Sequence, residues 1–223
     1  MEKLKSACET HIPFCRSEGR ERHIKYIPER CFVTYFSWGL INAGFAVFNE
    51  QMVKCEKPLP YPQRFDLLAR RFSPDKNRVQ IKAEAKGNLD GGYKEILKDI
   101  QRMECCTLAM PDFEMRKPKK NMAVKHFQHR FNIVLTQNWG LLELSEWWAS
   151  DKVTAPRRKG SKLARKGAEW VELKDKLLTA QRRGVISMLE SAPGYNHYTI
   201  DVLYAIFVDP LKKLEEVAPE NAG

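Results

Sequence analysis

Glu84 and Lys86, two residues apart, close the run Arg78-Val79-Gln80-Ile81-Lys82-Ala83-Glu84-Ala85-Lys86, which is followed by Gly87. On a strand, side chains alternate between faces, so Val79, Ile81, Ala83 and Ala85 share one side. Gln80, Lys82, Glu84 and Lys86 share the other. An interior strand gathers a carboxylate and two ammonium groups on one face only where that face meets water or a charged ligand. A carboxylate beside an ammonium over a cleft suits metal-dependent phosphodiester hydrolysis. A divalent cation offsets the charge that builds on the phosphoryl oxygens and lowers the pKa of a bound water. A neighbouring lysine can hold the nucleophile and stabilise the same charge.

Hard divalent cations take oxygen ligands, so such a site needs a second carboxylate. Asp75 follows Pro74 in the turn-forming segment Ser73-Pro74-Asp75-Lys76-Asn77, whereas Asp66 opens the preceding strand within Arg64-Phe65-Asp66-Leu67-Leu68. A hairpin turning about residue 75 places Asp66 directly opposite Glu84, and opposed positions carry Cβ atoms roughly 5 Å apart on one face. Asp75, at the tip, is on the order of 30 Å along the strand from Glu84 at ~3.3 Å per residue. Asp66 is therefore the expected partner. Glu172-Leu173-Lys174 repeats the Glu-x-Lys pattern, but in a helical segment, where residues two apart do not face each other.

The surrounding elements follow from periodicity and punctuation. Pro28 suits a first helical turn and Gly44 a helix end, with Phe32, Phe36 and Leu40 at helical spacing between them. Phe45–Val53 and Arg64–Phe72 read as strands on either side of the break Leu59-Pro60-Tyr61-Pro62. After Gly91-Gly92, the stripe Tyr93, Ile96, Leu97, Ile100 and Met103 predicts an amphipathic helix. Phe131–Leu135 reads as a buried strand and Leu141–Trp148 as a helix, with Trp147-Trp148 as core. Trp170, Leu173, Leu177, Val185 and Met188 predict a further helix weakened by Gly184, and Thr199–Val208 a last strand. Short helices are expected near Lys3–Cys8 and after Asp209-Pro210. This order gives an α/β fold, a mixed central sheet flanked by helices.

These residues together resemble the PD-(D/E)XK nuclease superfamily. The match covers roughly residues 28–105: a helix, a strand ending near Glu50, Arg64-Phe65-Asp66, then Glu84-Ala85-Lys86 and an amphipathic helix. Phe65 stands where the family pattern has a proline. The resemblance implies a restriction-endonuclease-like fold in which Asp66 and Glu84 bind Mg²⁺, with Mn²⁺ as substitute. The backbone carbonyl of Ala85 is a further implied ligand, and Lys86 orients or activates the attacking water. Glu50 is either an additional metal ligand or an exposed edge residue.

Net charge of +10 over 223 residues favours a polyanionic partner. Lys82, and Gln101 on the helix after the motif, are candidate nucleic-acid contacts. So are Arg157, Arg158, Lys159, Lys162, Arg165 and Lys166 of a basic loop, unless that loop is simply a solvated charge run. His126 and His129 lack further ligands and fit phosphate contact or plain surface better than a metal pair. The expected organisation is one domain over 1–223, with a catalytic core at about 28–140, a basic insertion at about 151–195, and a closing strand and helix at 197–217. The expected activity is metal-dependent hydrolysis of phosphodiester bonds by a DNA endonuclease of restriction, repair, recombination or defence type, acting on double-stranded DNA as a possible homodimer. The alternatives are a ribonuclease, or an idle nuclease fold that binds nucleic acid. No apolar run reaches the ~18–20 residues of a bilayer span, and the start lacks a secretory pattern, so the expected location is cytoplasmic. The six cysteines have no zinc-like spacing and are expected to stay reduced.

Overall fold

The computed structural model describes Ser6 and residues 28–55, 64–72, 78–108, 129–139, 142–157, 165–189 and 200–208. Helix α1 (Glu29–Asn42) starts directly after Pro28, whose φ of −52° is already near helical, and the Phe32 N–H closes the first turn on the Pro28 carbonyl at 3.0 Å. Phe32, Phe36 and Leu40 form its buried stripe. Gly44, at φ +81°, turns the chain out of the helix and donates its N–H to the Ile41 carbonyl.

The strands are β1 (Ala46–Cys55), β2 (Arg64–Phe72), β3 (Arg78–Lys86), β4 (Cys106–Leu108), β5 (His129–Trp139), β6 (Arg182–Leu189) and β7 (Ile200–Val208). Among the described residues they form a seven-stranded sheet ordered β4-β1-β2-β3-β5-β7-β6, with the three residues of β4 at one edge. β1, β2 and β3 are an antiparallel meander. Helix α2 (Leu89–Cys105) lies on the crossover that brings β5 parallel to β3, and β7 and β6 return antiparallel. The mixed sheet is thus flanked by helices, as expected. Helix α1 seals one face over Leu67, Ala69, Ile81, Ala83, Ala85, Ile133 and Leu135. Helices α2, α3 (Leu142–Ala149) and α4 (Ala168–Leu178) seal the other, where Trp147, Trp148 and Trp170 are buried.

Three expectations are corrected. The first strand does not end near Glu50 but runs on to Cys55. β5 extends on both sides of Phe131–Leu135, with the polar Gln137 and Asn138 also buried. Val185 and Met188 do not continue a helix: α4 stops at Leu178, and both residues belong to β6. The apolar spacing mimics a helix, and the sign against one is Gly184. It lies opposite Tyr204, and a Cβ there would come within 2.7 Å of the Tyr204 hydroxyl oxygen, so the glycine is a slot for a cross-strand ring rather than a weak helix end. Within the span expected as a basic insertion, α4 buries Trp170, Leu173 and Leu177, and β6 is an edge strand of the same sheet. The expected segments at Lys3–Cys8 (apart from Ser6), 73–77 and 209–217 lie outside the described residues.

Candidate active site

The β2–β3 ladder pairs Ala69 with Ile81, Leu68 with Lys82 and Leu67 with Ala83. This is the register expected of a hairpin centred on residue 75, and its next step would set Asp66 against Glu84. The backbone pairing stops there. Instead of a cross-strand carbonyl, the Asp66 carboxylate accepts the Ala85 N–H at 2.8 Å. Leu67 packs under α1 while Phe65, two residues away, packs in the core beneath α2, so the side-chain alternation of β2 breaks at Asp66. On the neighbouring strand, Asn49↔Leu67 and Gln51↔Phe65 pair around Glu50, which takes a left-handed φ of +49°. The sheet is kinked where its acids gather, and the kink frees the Asp66 carboxylate from strict alternation.

Glu84 is 1% exposed, on the α2 face of β3. The Arg102 guanidinium from α2 holds one of its oxygens, Oε1. The other, Oε2, is buried and accepts no hydrogen bond from the described residues. Burial is the main reason its pKa is pushed up from 4.5 to about 9, followed by the negative charges of Asp66 and Asp99; Arg102 acts in the opposite direction. Asp66 is thus close enough to be the largest charge opposing ionisation of Glu84, and both residues line one small crevice that Val33 and Phe36 of α1 and Leu135 of β5 also line.

Lys86 ends β3 with its ammonium 3.0 Å from Asp99 of α2 and 4.0 Å from Glu29 at the start of α1. Burial favours the neutral amine, but those two carboxylates and Asp66 outweigh it and hold Lys86 above its usual pKa. Asp99 also meets Arg102 at 2.8 Å, three residues along the same helix. Burial raises the pKa of both Asp99 and Glu29. Glu29, Asp66, Glu84 and Asp99 therefore gather about Lys86 and Arg102, and with acids in excess burial and the neighbouring carboxylates keep the proton on Glu84. A divalent cation would take the place of that proton.

Three members of this cluster escaped the sequence reading. Asp99 left a trace: it falls three residues after Ile96 and four before Met103, inside the buried stripe of α2. A carboxylate on that stripe demands a partner. Glu29 and Arg102 left none, since acids and arginines on helix surfaces are commonplace.

The remaining expected site residues lie apart. The exposed Glu50 side chain pairs with Arg64 at 3.1 Å. Lys82 is corrected: it is 4% exposed, its ammonium donates to the Met103 carbonyl at 2.9 Å and lies over the Phe65 ring, so it supports the end of α2 rather than meeting a phosphate. Gln101 ties α2 to α4 through Glu172 at 2.9 Å. The Arg165 side chain, only 19% exposed, pairs with Asp90 at the start of α2 and covers Trp170, which makes it a loop anchor. Arg157 and Lys166 are exposed, as is His129. Arg158, Lys159, Lys162 and His126 lie outside the described residues. Lys174, from the second Glu-x-Lys copy, is fully buried and donates to the Trp147 and Ser150 carbonyls at the end of α3.

No group of three or more acidic, histidine or cysteine side chains among the described residues is arranged to hold a metal ion. Mg²⁺ is commonly held by one or two carboxylates, with waters and substrate phosphates completing its shell. Asp66 and the unpartnered Oε2 of Glu84 fit that smaller requirement. No family model, curated protein or solved structure matches this chain. Among the described residues, no helix is long and apolar enough to cross a membrane.

Proposed function

We propose that the protein is a metal-dependent nuclease of PD-(D/E)XK type, with a restriction-endonuclease-like arrangement of its sheet, that cleaves DNA. The observation that carries this reading is the buried, unpartnered Oε2 of Glu84 beside Asp66, with the Lys86 ammonium two residues further along β3. A buried carboxylate oxygen without a donor is costly, and a ligand that binds there recovers that cost. Asp66, Glu84 and the Ala85 carbonyl would hold Mg²⁺, or Mn²⁺ in its place. The ion supplies charge neutralisation at the phosphoryl group and acidification of a bound water.

Lys86 stays protonated, because Asp99 and Glu29 raise its pKa, so it is a donor and not a general base. It orients the attacking water and stabilises charge developing on the phosphate. Arg157 and Lys166, both exposed, and Arg158, Lys159 and Lys162 of the same basic segment would grip backbone phosphates. The charge of +10 supports a polyanionic substrate, and cleavage of both strands of a duplex favours a homodimer acting in the cytoplasm. Incubation with circular DNA, linear DNA and RNA, each with Mg²⁺ or chelator, tests the proposal. Nicking of circles that requires metal and is lost in Asp66→Ala is the expected outcome. Cleavage that persists in chelator refutes the mechanism.

A second reading rests on the Arg102–Glu84 ion pair, which already neutralises part of the acidic cluster. On that reading the fold binds nucleic acid without turnover. Salt-sensitive DNA binding, with no cleavage in Mg²⁺ or Mn²⁺, distinguishes it.

A further inference from the structure

Arg102 and Asp99 stand three apart on α2 and grip both chemical groups of β3 at once. The Arg102 guanidinium meets Oε1 of Glu84 and Oδ1 of Asp99, the latter at 2.8 Å, while Oδ2 of Asp99 lies 3.0 Å from the Lys86 ammonium. The same guanidinium lies 6.0 Å from the centre of the Phe65 ring, which backs it from the core side. The two Glu84 oxygens therefore have unequal tasks. One is held by Nη2 of Arg102, and only Oε2 is left for a ligand.

Resting on the metal-centre reading above, we infer that Arg102 sets the ion preference of the site by forcing Glu84 to bind through a single oxygen. Mg²⁺ requires an octahedral shell at about 2.0–2.1 Å and tolerates poorly the narrow bite of a two-oxygen carboxylate. Ca²⁺ accepts six to eight oxygens at about 2.3–2.6 Å and readily takes both oxygens of one carboxylate. With Oε1 committed to Arg102, Glu84 offers the geometry that suits the smaller ion. Released from Arg102, it can turn both oxygens to the ion and serve the larger one. Arg102 is thus a positioning residue that acts through Glu84. Both contacts run through one guanidinium nitrogen, Nη2, and lysine, which carries its charge as a compact ammonium on a stem of different reach, replaces it only in part.

The test is the ratio of Mg²⁺ to Ca²⁺ affinity of the full chain without nucleic acid. It is measured by calorimetric titration and by melting in MgCl₂ or CaCl₂ at matched ionic strength. The unmodified protein is expected to prefer Mg²⁺. Arg102→Met is expected to move the ratio toward Ca²⁺ by roughly tenfold or more, the size usual for groups that orient a metal ligand. Arg102→Lys, which keeps the charge, moves it in the same direction by less, and decides the matter if Arg102→Met does not fold. An unchanged ratio in a folded variant that still binds both ions overturns the role of Arg102 and leaves the metal centre standing. Stabilisation of the unmodified protein by neither ion overturns the metal-centre reading as well.

Discussion

Replacing Glu84 by glutamine should make the metal-free protein more stable while removing its response to metal. Folded Glu84 keeps its proton up to about pH 9, whereas in the unfolded chain it loses the proton near 4.5. Between those values the folded state binds the extra proton, so stability falls as pH rises through that window and levels off above it. The slope is at most ~1.4 kcal/mol per pH unit, which by pH 7.5 amounts to an upper limit of about 4 kcal/mol. Local relaxation and water entry reduce the cost of burying the charge, and about half of that limit is a fair expectation. Glutamine keeps an oxygen for Arg102 and carries no ionisation cost. At roughly 2–4 °C per kcal/mol for a chain of this size, Glu84→Gln should melt about 4–8 °C higher in chelator at pH 7.5. The gap should shrink to under about 1 kcal/mol near pH 5. Saturating Mg²⁺ should reverse the order, because a ligand at one hundred times its dissociation constant adds about 2.7 kcal/mol to the unmodified protein and nothing to the variant. Melting curves over pH 5–9, in chelator and in Mg²⁺, provide the measurement. A variant that melts at or below the unmodified protein in chelator, with an unchanged pH slope, would show that Glu84 is not a costly buried carboxylate, and the reasoning would fail.

Asp66→Asn keeps an acceptor for the Ala85 N–H but removes a charge, so the fold should persist while cleavage drops by at least roughly 100-fold in a plasmid-nicking assay. Lys174→Met should destabilise the protein by about 1–3 kcal/mol in denaturant titrations, because the α3 carbonyls it serves become buried without a donor, and Mg²⁺ binding should not change. Burial is the main reason the Lys174 pKa is lowered from 10.5 to about 8, so the folded state binds fewer protons between those values and the unmodified protein should gain stability as pH rises through them. Removing Arg157 or Lys166 should lower the slope of log affinity for DNA against log salt by about 0.9 for each phosphate that is no longer neutralised, whereas Arg165→Ala should show its main effect as a lower melting temperature.

The amino-acid sequence alone was enough to find β2, β3 and their register, because strand alternation and a turn of clear composition are local properties. The apolar stripes of α1 and α2 were equally plain, for their spacing reports which side faces the sheet. What happens at Asp66 is different. Its strand should keep Phe65 and Leu67 on one side, and only the competition between two cores on opposite faces of the sheet turns Phe65 away. Lys82 shows the same limit: a lysine on a polar strand face looks like a phosphate ligand until α2 lays the Met103 carbonyl over it. β6 was misread because its apolar spacing mimics a helix and Gly184 has meaning only beside Tyr204. Glu29, Asp99 and Arg102 come from two helices and meet β3 only once both have docked. Sequence therefore determined which side chains could do chemistry, and tertiary packing decided their neighbours, since charges separated along the chain interact only where the fold brings them within a few ångströms.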